Sequence, residues 1–233
     1  MEYYGRRSNR GAITALSAVL SVIGTISFMI ASIFFSLYFG VFTVRYFEKN
    51  CTTAGVAQNI GITENELHSA IEHLINGLKK GAEPQMTVNI KNKDVNFFSD
   101  EEVADIYDYH NKIVLFRRIA MAMSVISIAL FVFVIAESRA RILRNVFAVF
   151  WGIIILATML IMLYVKINPS TFMEGFAATV ILNGRGPANA ANGYVISLFP
   201  SQLIENAVIF VSCLFIILQL IILLIINKFT LHR

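Results

Sequence analysis

Apolar residues run almost unbroken through four stretches of the chain, 11–44, 113–136, 145–165 and 206–226. Each is long enough for a helix that crosses a bilayer, which needs about 20 residues. The first is too long for a signal-peptide core, whose apolar part is roughly 7–15 residues, so it is expected to stay as a span. Between the first two stretches the period changes. Thr63-Glu-Asn-Glu66 is a capping box, and Leu67, Ile71, Leu74 and Ile75 share one face of the helix it opens, to about Leu78. Gly77 and Gly81 mark its end. Met86, Val88 and Ile90, then Val95 and Phe97, alternate with polar residues around Lys91-Asn-Lys-Asp94, which predicts a β-hairpin. Ser99 and Glu102 form a second capping box, and no Gly or Pro follows until Gly152. That helix should therefore run unbroken into the second span.

The pattern predicts an all-α polytopic membrane protein with four transmembrane helices. A small α+β extracytoplasmic cap (45–112) joins spans 1 and 2, and an interfacial helix and loop (166–205) joins spans 3 and 4. The cap is too short for a core of its own and should lean on the rest of the chain. A turn at 137–144 and the tails 1–10 and 227–233 complete the division. Basic residues concentrate in these three segments, among them Arg6, Arg7, Arg10, Arg139, Arg141, Arg144 and Lys228. By the positive-inside rule both termini are expected in the cytoplasm, with the cap and the 166–205 loop outside a cell membrane.

Composition agrees: 57% of residues are hydrophobic, 15% are charged, and the mean hydropathy is +0.68. No basic cluster alternates with aromatics, so no nucleic acid is expected as partner. Cys51 and Cys213 fall at different expected depths, which leaves no disulfide framework. His68 and His73 are five apart, about 140° around a helix, and no third ligand is near, so no metal is expected. Nothing in 183–189 matches a phosphate-binding loop, and no cofactor is expected. Away from their ends the spans hold no ionisable residue, and Gln219 is their one strongly polar side chain. Transport driven through buried charges therefore lacks its usual groups.

The candidate chemistry gathers where the polar start of the second long helix meets its apolar part. Glu101, Asp105 and Asp108 share a face that Lys112 continues. Asp100, Glu101 and Glu102 read as a solvated acidic first turn complementing the helix dipole. Asp105 and Asp108 lie one to two turns above the bilayer, as solvated acids or as functional ones. His110 reads either as an interfacial histidine among Tyr107 and Tyr109 or as a general base. Arg117 and Arg118 open the span from its outer side. Snorkelling explains them, and so does a grip on lipid headgroups. In the later loop, Thr171 and Glu174 form a possible capping box ahead of an apolar face of Phe172, Phe176 and Val180.

Two segments together resemble the Lit family, the four-span lipoprotein intramolecular transacylases of Gram-positive bacteria. One is Leu67-His-Ser-Ala-Ile-Glu-His-Leu-Ile-Asn-Gly-Leu78 followed by Phe97-Phe-Ser-Asp-Glu-Glu-Val-Ala-Asp-Ile-Tyr-Asp108; the other is Phe176 to Pro200. Glu102 and Asp108 fall on the family's acidic positions, and Asn183, Ile196, Phe199 and Pro200 match its second motif. Asp105 stands where the first family histidine is expected and Ala177 where the second is. Gly186 and Asn189-Ala190 replace its Trp and Asp-Pro. The resemblance implies O-to-N acyl transfer on the lipidated N-terminal cysteine of a lipoprotein, with membrane lipids and lipoprotein N-termini as partners. Asp105, Asp108 and His110 are then the candidate acid–base groups, and Arg117 and Arg118 the candidate headgroup ligands. The alternative is a catalytically inactive relative that binds a lipid or lipoprotein.

Overall fold

The computed structural model describes residues 2–90, 93–168, 171–172 and 194–231, with side chains from residue 13 onward. Helix α1 (Glu2–Ser36) passes into a π-helical turn, Leu37–Val41. Helices α2 (Val44–Thr53), α3 (Val56–Ile60) and α4 (Glu64–Lys80) follow, then strands β1 (Thr87–Ile90) and β2 (Lys93–Asn96). Helix α5 runs from Asp100 to Ala136 and α6 from Ala140 to Ile167. A 3-10 turn, Val195–Leu198, leads to α7, Ser201–Leu231. Among the described residues four helices are long and apolar enough to cross a membrane: Ile13–Val41, α5, α6 and α7. They expose rows of large apolar side chains, such as Val125, Ile128 and Val132 on α5 and Leu156, Met159 and Leu163 on α6. Lipid, and not water, is the solvent for such surfaces, and the chain is a multi-pass integral membrane protein. The expected capping box at Thr171 and Glu174, with Phe176, Val180 and the 183–190 loop, lies outside the described residues apart from Thr171 and Phe172.

The chain forms two compact units. The first comprises Met1–Ser36, Arg118–Leu160 and Ser212–Arg233. Its centre is a cluster of Phe28, Phe131 and Phe147, with ring centroids 6.1–6.2 Å apart. Gly24 makes room for it, since a Cβ there would stand 3.0 Å from Phe131 Cε1 and 3.3 Å from Leu130 Cβ. Gln219 is fully buried and donates from Nε2 to Ser32 Oγ at 2.6 Å. With no water at this depth, a hydroxyl on a neighbouring helix is what makes the amide tolerable.

The second unit comprises Leu37–Arg117 and Ile161–Val211. Both capping boxes are formed. Thr63 Oγ1 accepts from Glu66 N–H at 3.2 Å while Glu66 Oε2 accepts from Thr63 N–H at 2.8 Å. The buried face of α4 consists of Leu67, Ala70, Ile71, Leu74, Ile75 and Leu78. The helix ends at Gly81, whose φ of 71° is costly for any residue with a Cβ. The hairpin pairs Val88 with Val95 and Ile90 with Lys93. The cap does lean on later chain, as its length requires. Leu198, Leu203 and Ile204 join Phe47, Cys51, Leu67, Leu74 and Phe97 in one core. Polar contacts seal it: Asn206 Nδ2 donates to Asn50 Oδ1 at 2.7 Å, and Tyr46 Oη to Leu203 O at 3.2 Å.

The packing at Gly24 sets a test. Gly24→Leu should destabilise the protein by about 1–3 kcal/mol through overpacking. The thermal midpoint in detergent would then fall, whereas an unchanged midpoint would mean that Gly24 is not packed against Phe131.

Candidate functional site

The polar head of α5, from Asp100 to Lys112, precedes the apolar stretch that begins at Ile113, and it carries most of the sequence candidates. A helix turns about 100° per residue, so side chains sort onto flanks. Glu101, Asp105, Asp108 and Lys112 occupy one flank. Asp108 Oδ2 accepts from Lys112 Nζ at 2.7 Å, with both side chains about half exposed. Lys112 Nζ also stands 5.0 Å from the centroid of the Tyr109 ring. The bond to Asp108 raises the Lys112 pKa, so this ammonium stays charged.

Glu102 begins the neighbouring flank, and its surroundings are not those of a solvated first turn. Its Oε2 accepts from Ser99 N–H at 3.0 Å, closing the capping box, and Ser99 Oγ accepts from Glu102 N–H at 3.3 Å. Its Oε1 accepts from Val195 N–H at 3.0 Å, across 93 residues of sequence. One carboxylate thereby holds the start of the 3-10 turn against the head of α5. Burial raises the Glu102 pKa and the charge of Asp105 raises it further, against the lowering effect of the two N–H donors. The expectation that Glu102 is a solvated acid is corrected: it is a half-buried bridge. Its place on the family's acidic position was the available signal. The Val195 contact has no trace in local spacing.

His110 lies about 140° around the helix from Asp105. The structure therefore groups Asp105 with Glu102 and Asp108 and sets His110 apart from them. Its Nδ1 is 3.1 Å from Leu78 O. A carbonyl only accepts, so Nδ1 carries the proton and neutral His110 keeps its lone pair on Nε2. The ring rests on Gly81, where a Cβ would come within 2.9 Å of Nε2. Arg117 is two turns further along the same flank as His110, and its buried Nε has no partner among the described residues. Arg118, exposed, belongs to the other unit.

An open cleft of about 980 Å³ lies beside the His110 flank. Val103, Ile106 and Tyr107 form one wall, Gly77 and Gly81 the end of α4, and residues 82–87 the opposite side. Among the described residues no three His, Cys, Asp or Glu side chains converge on a metal-sized site. His68 instead faces Glu48 at 3.2 Å. Burial pushes the Cys51 thiol up to about 12, which keeps it protonated and unreactive beside Leu198 O.

Four apolar helices, a hairpin-bearing cap and an acidic helix head tied to a second polar segment define a class of membrane protein with its candidate site beside the spans. The family model of the lipoprotein intramolecular transacylase Lit matches residues 22–183, and the chain belongs to that family. It is similar to the solved structure of the membrane integral lipoprotein intramolecular transacylase Lit from Bacillus cereus, at 13% identity. That match has a TM-score of 0.66 and covers 95% of this chain and 97% of the other. A variant of the Bacillus cereus protein with a histidine changed to alanine matches with a TM-score of 0.65 at 12% identity, covering 98% of this chain and all of that one. No curated protein matches the sequence.

The Glu102 environment predicts a pH dependence. A carboxyl whose folded pKa lies above its unfolded value contributes stability at low pH and loses it as pH rises through the folded value. Thermal stability should therefore decline as pH rises from the ordinary glutamate value of 4.5 through the raised one. Glu102→Gln should flatten that window. It also leaves one N–H without an acceptor, at a cost of about 1–3 kcal/mol. Melting curves at stepped pH would test this, and an identical slope in the variant would contradict it.

Proposed function

We propose that this protein transfers an acyl chain from the glyceryl ester of a lipoprotein's N-terminal cysteine to the α-amine of the same cysteine. The reaction takes place at the outer face of the cell membrane, with both termini of the enzyme in the cytoplasm. The observation that carries this reading is the Glu102 bridge. It joins the two segments that resemble the family's motifs and sets Asp105 beside a half-buried carboxylate.

In this reading the α-ammonium of the cysteine gives a proton to the Glu102–Asp105 pair. The free amine attacks the ester carbonyl, and the oxyanion collapses with cleavage of the bond to glycerol. The protonated carboxyl then gives its proton to the departing alkoxide, and the carboxylate left behind takes the second proton from the new amide nitrogen and releases it to water. Glu102 suits this exchange, because burial and the charge of Asp105 raise its proton affinity. Asp108 fixes Lys112 at the edge of the site, where an ammonium favours the oxyanion. His110, with its lone pair on Nε2, is the other candidate base, on the cleft side of the stem. Arg117 and Arg118 offer guanidinium groups to anionic lipid headgroups. The second reading, a relative that binds lipoproteins without acting on them, is favoured by Asp105 and Ala177 standing at the family's histidine positions.

Expression in a bacterium that lacks lipoprotein N-acylation separates the two. Mass spectrometry of lipoprotein N-termini should show N-acyl, lyso-glyceryl cysteine, and Asp105→Ala should lower its yield by about 100-fold, as loss of an acid–base group does. Unchanged diacylglyceryl cysteine, with the protein present in the membrane, would contradict transfer and leave the binding reading.

A further inference from the structure

The cleft beside His110 takes no part in the proton transfers just described for Glu102 and Asp105. Its volume, about 980 Å³, is at the upper end of the roughly 300–1,000 Å³ range of ligand sites. Its walls are mixed. Pro84, Met86, Phe98 and Ile106 are apolar, while Gln85, Thr87 and Asn96 offer amides and a hydroxyl. Among the described residues its charged lining, Glu83 and Asp100, is acidic, with no Lys, Arg or His. Such a lining favours a polar, cationic occupant over an acyl chain or a phosphate.

The main chain at its border also suits an extended polypeptide. Phe97 N–H donates to Met86 O at 2.8 Å, so Met86 and Phe97 are a hydrogen-bonded pair of the hairpin. Alternation along an antiparallel strand turns the N–H and C=O of Thr87 to the opposite edge. Asn89, the next residue in that row, already uses its N–H on Glu66 Oε1 at 3.4 Å. At Thr87 no described group takes either, and an edge left open in this way pairs with an added strand.

We propose that this cleft binds the polypeptide that follows the lipidated cysteine of the substrate, as an extended segment carrying basic residues. The proposal rests on the lipoprotein reading given above. The geometry of the stem sets the register. Asp105 and the cleft wall at Tyr107 lie on opposite sides of α5, and Glu101, Ala104 and Asn111, exposed among the described residues, lie between them. Half the circumference of a helix about 11 Å across is about 17 Å, or roughly five extended residues. The cleft therefore receives the substrate from about its sixth residue onward.

The probes are three synthetic compounds offered to the full-length protein in phospholipid nanodiscs. One is a diacylglyceryl-cysteine peptide with a ten-residue tail bearing lysines at positions six and eight. The second carries glutamates there, and the third is diacylglyceryl-cysteine amide without a tail. The lysine tail should bind about tenfold more tightly than the tailless amide, the scale expected of two partly exposed charge pairs. Glu83→Lys combined with Asp100→Lys should reverse the preference toward the glutamate tail, a gain that misfolding does not produce. Equal affinity for all three probes would overturn the proposal. So would an equal loss for tailed and tailless probes in the variant, because the cleft would then be a lipid site. The two readings fail separately: tail-dependent binding without N-acyl product would refute transfer alone, and product formed with no tail dependence would refute the cleft alone.

Discussion

Glu102 commits both carboxylate oxygens to main-chain N–H groups, one on the residue that begins its own helix and one on Val195. Much of the cap depends on this. The segment at Val195–Leu198 supplies Leu198 to a core that residues 45–112 do not complete alone, and Tyr194 stacks on Phe97 with centroids 5.6 Å apart. An apolar surface would hold the segment without choosing its register. The hydrogen bond from Val195 N–H to a half-buried carboxylate chooses it, since an N–H left unpaired in that setting costs about 1–3 kcal/mol. Burying the acid has a cost too, visible in its raised pKa. In the proposed account that raised pKa lets the same group carry a proton.

The second constraint is stiffness. From Asp100 to Ala136 there is neither Gly nor Pro, so one rod carries the acids, the histidine and the arginines. Side chains on a rod cannot converge by bending the backbone, and their flanks decide what each can serve. Asp105 and Asp108 lie with Glu102 and Lys112; His110 lies with the end of α4. The polar head of α5 thus presents two distinct faces. In the proposed account one performs the proton transfers and the other holds the substrate's polypeptide.

Much of this was legible in the sequence because it depends on local rules. Period and length set the four helices, and two capping boxes fixed the starts of α4 and α5. Alternation at Val88, Ile90 and Val95 gave the hairpin. The flanks of Asp105, Asp108 and Lys112 follow from spacing alone. What escaped was long-range. Nothing near Glu102 says that its partner stands at Val195, and nothing near His110 says that Leu78 O fixes its tautomer. The likeness to the Lit family pointed to the two segments that the Glu102–Val195 contact joins, though the two histidines it implies are absent here. In the proposed account a carboxylate pair on one flank and His110 on the other stand in their place.

Hydrogen exchange at residues 194–199, followed by mass spectrometry in wild type and Glu102→Ala, tests the central claim directly. If the carboxylate holds this segment, its removal should raise the exchange rate there by at least tenfold, the equivalent of about 1.4 kcal/mol, while the apolar part of α5 stays protected. Exchange that is unchanged at 194–199 would mean that apolar packing alone positions the segment, and the bridge would no longer explain how the two halves of the site are brought together.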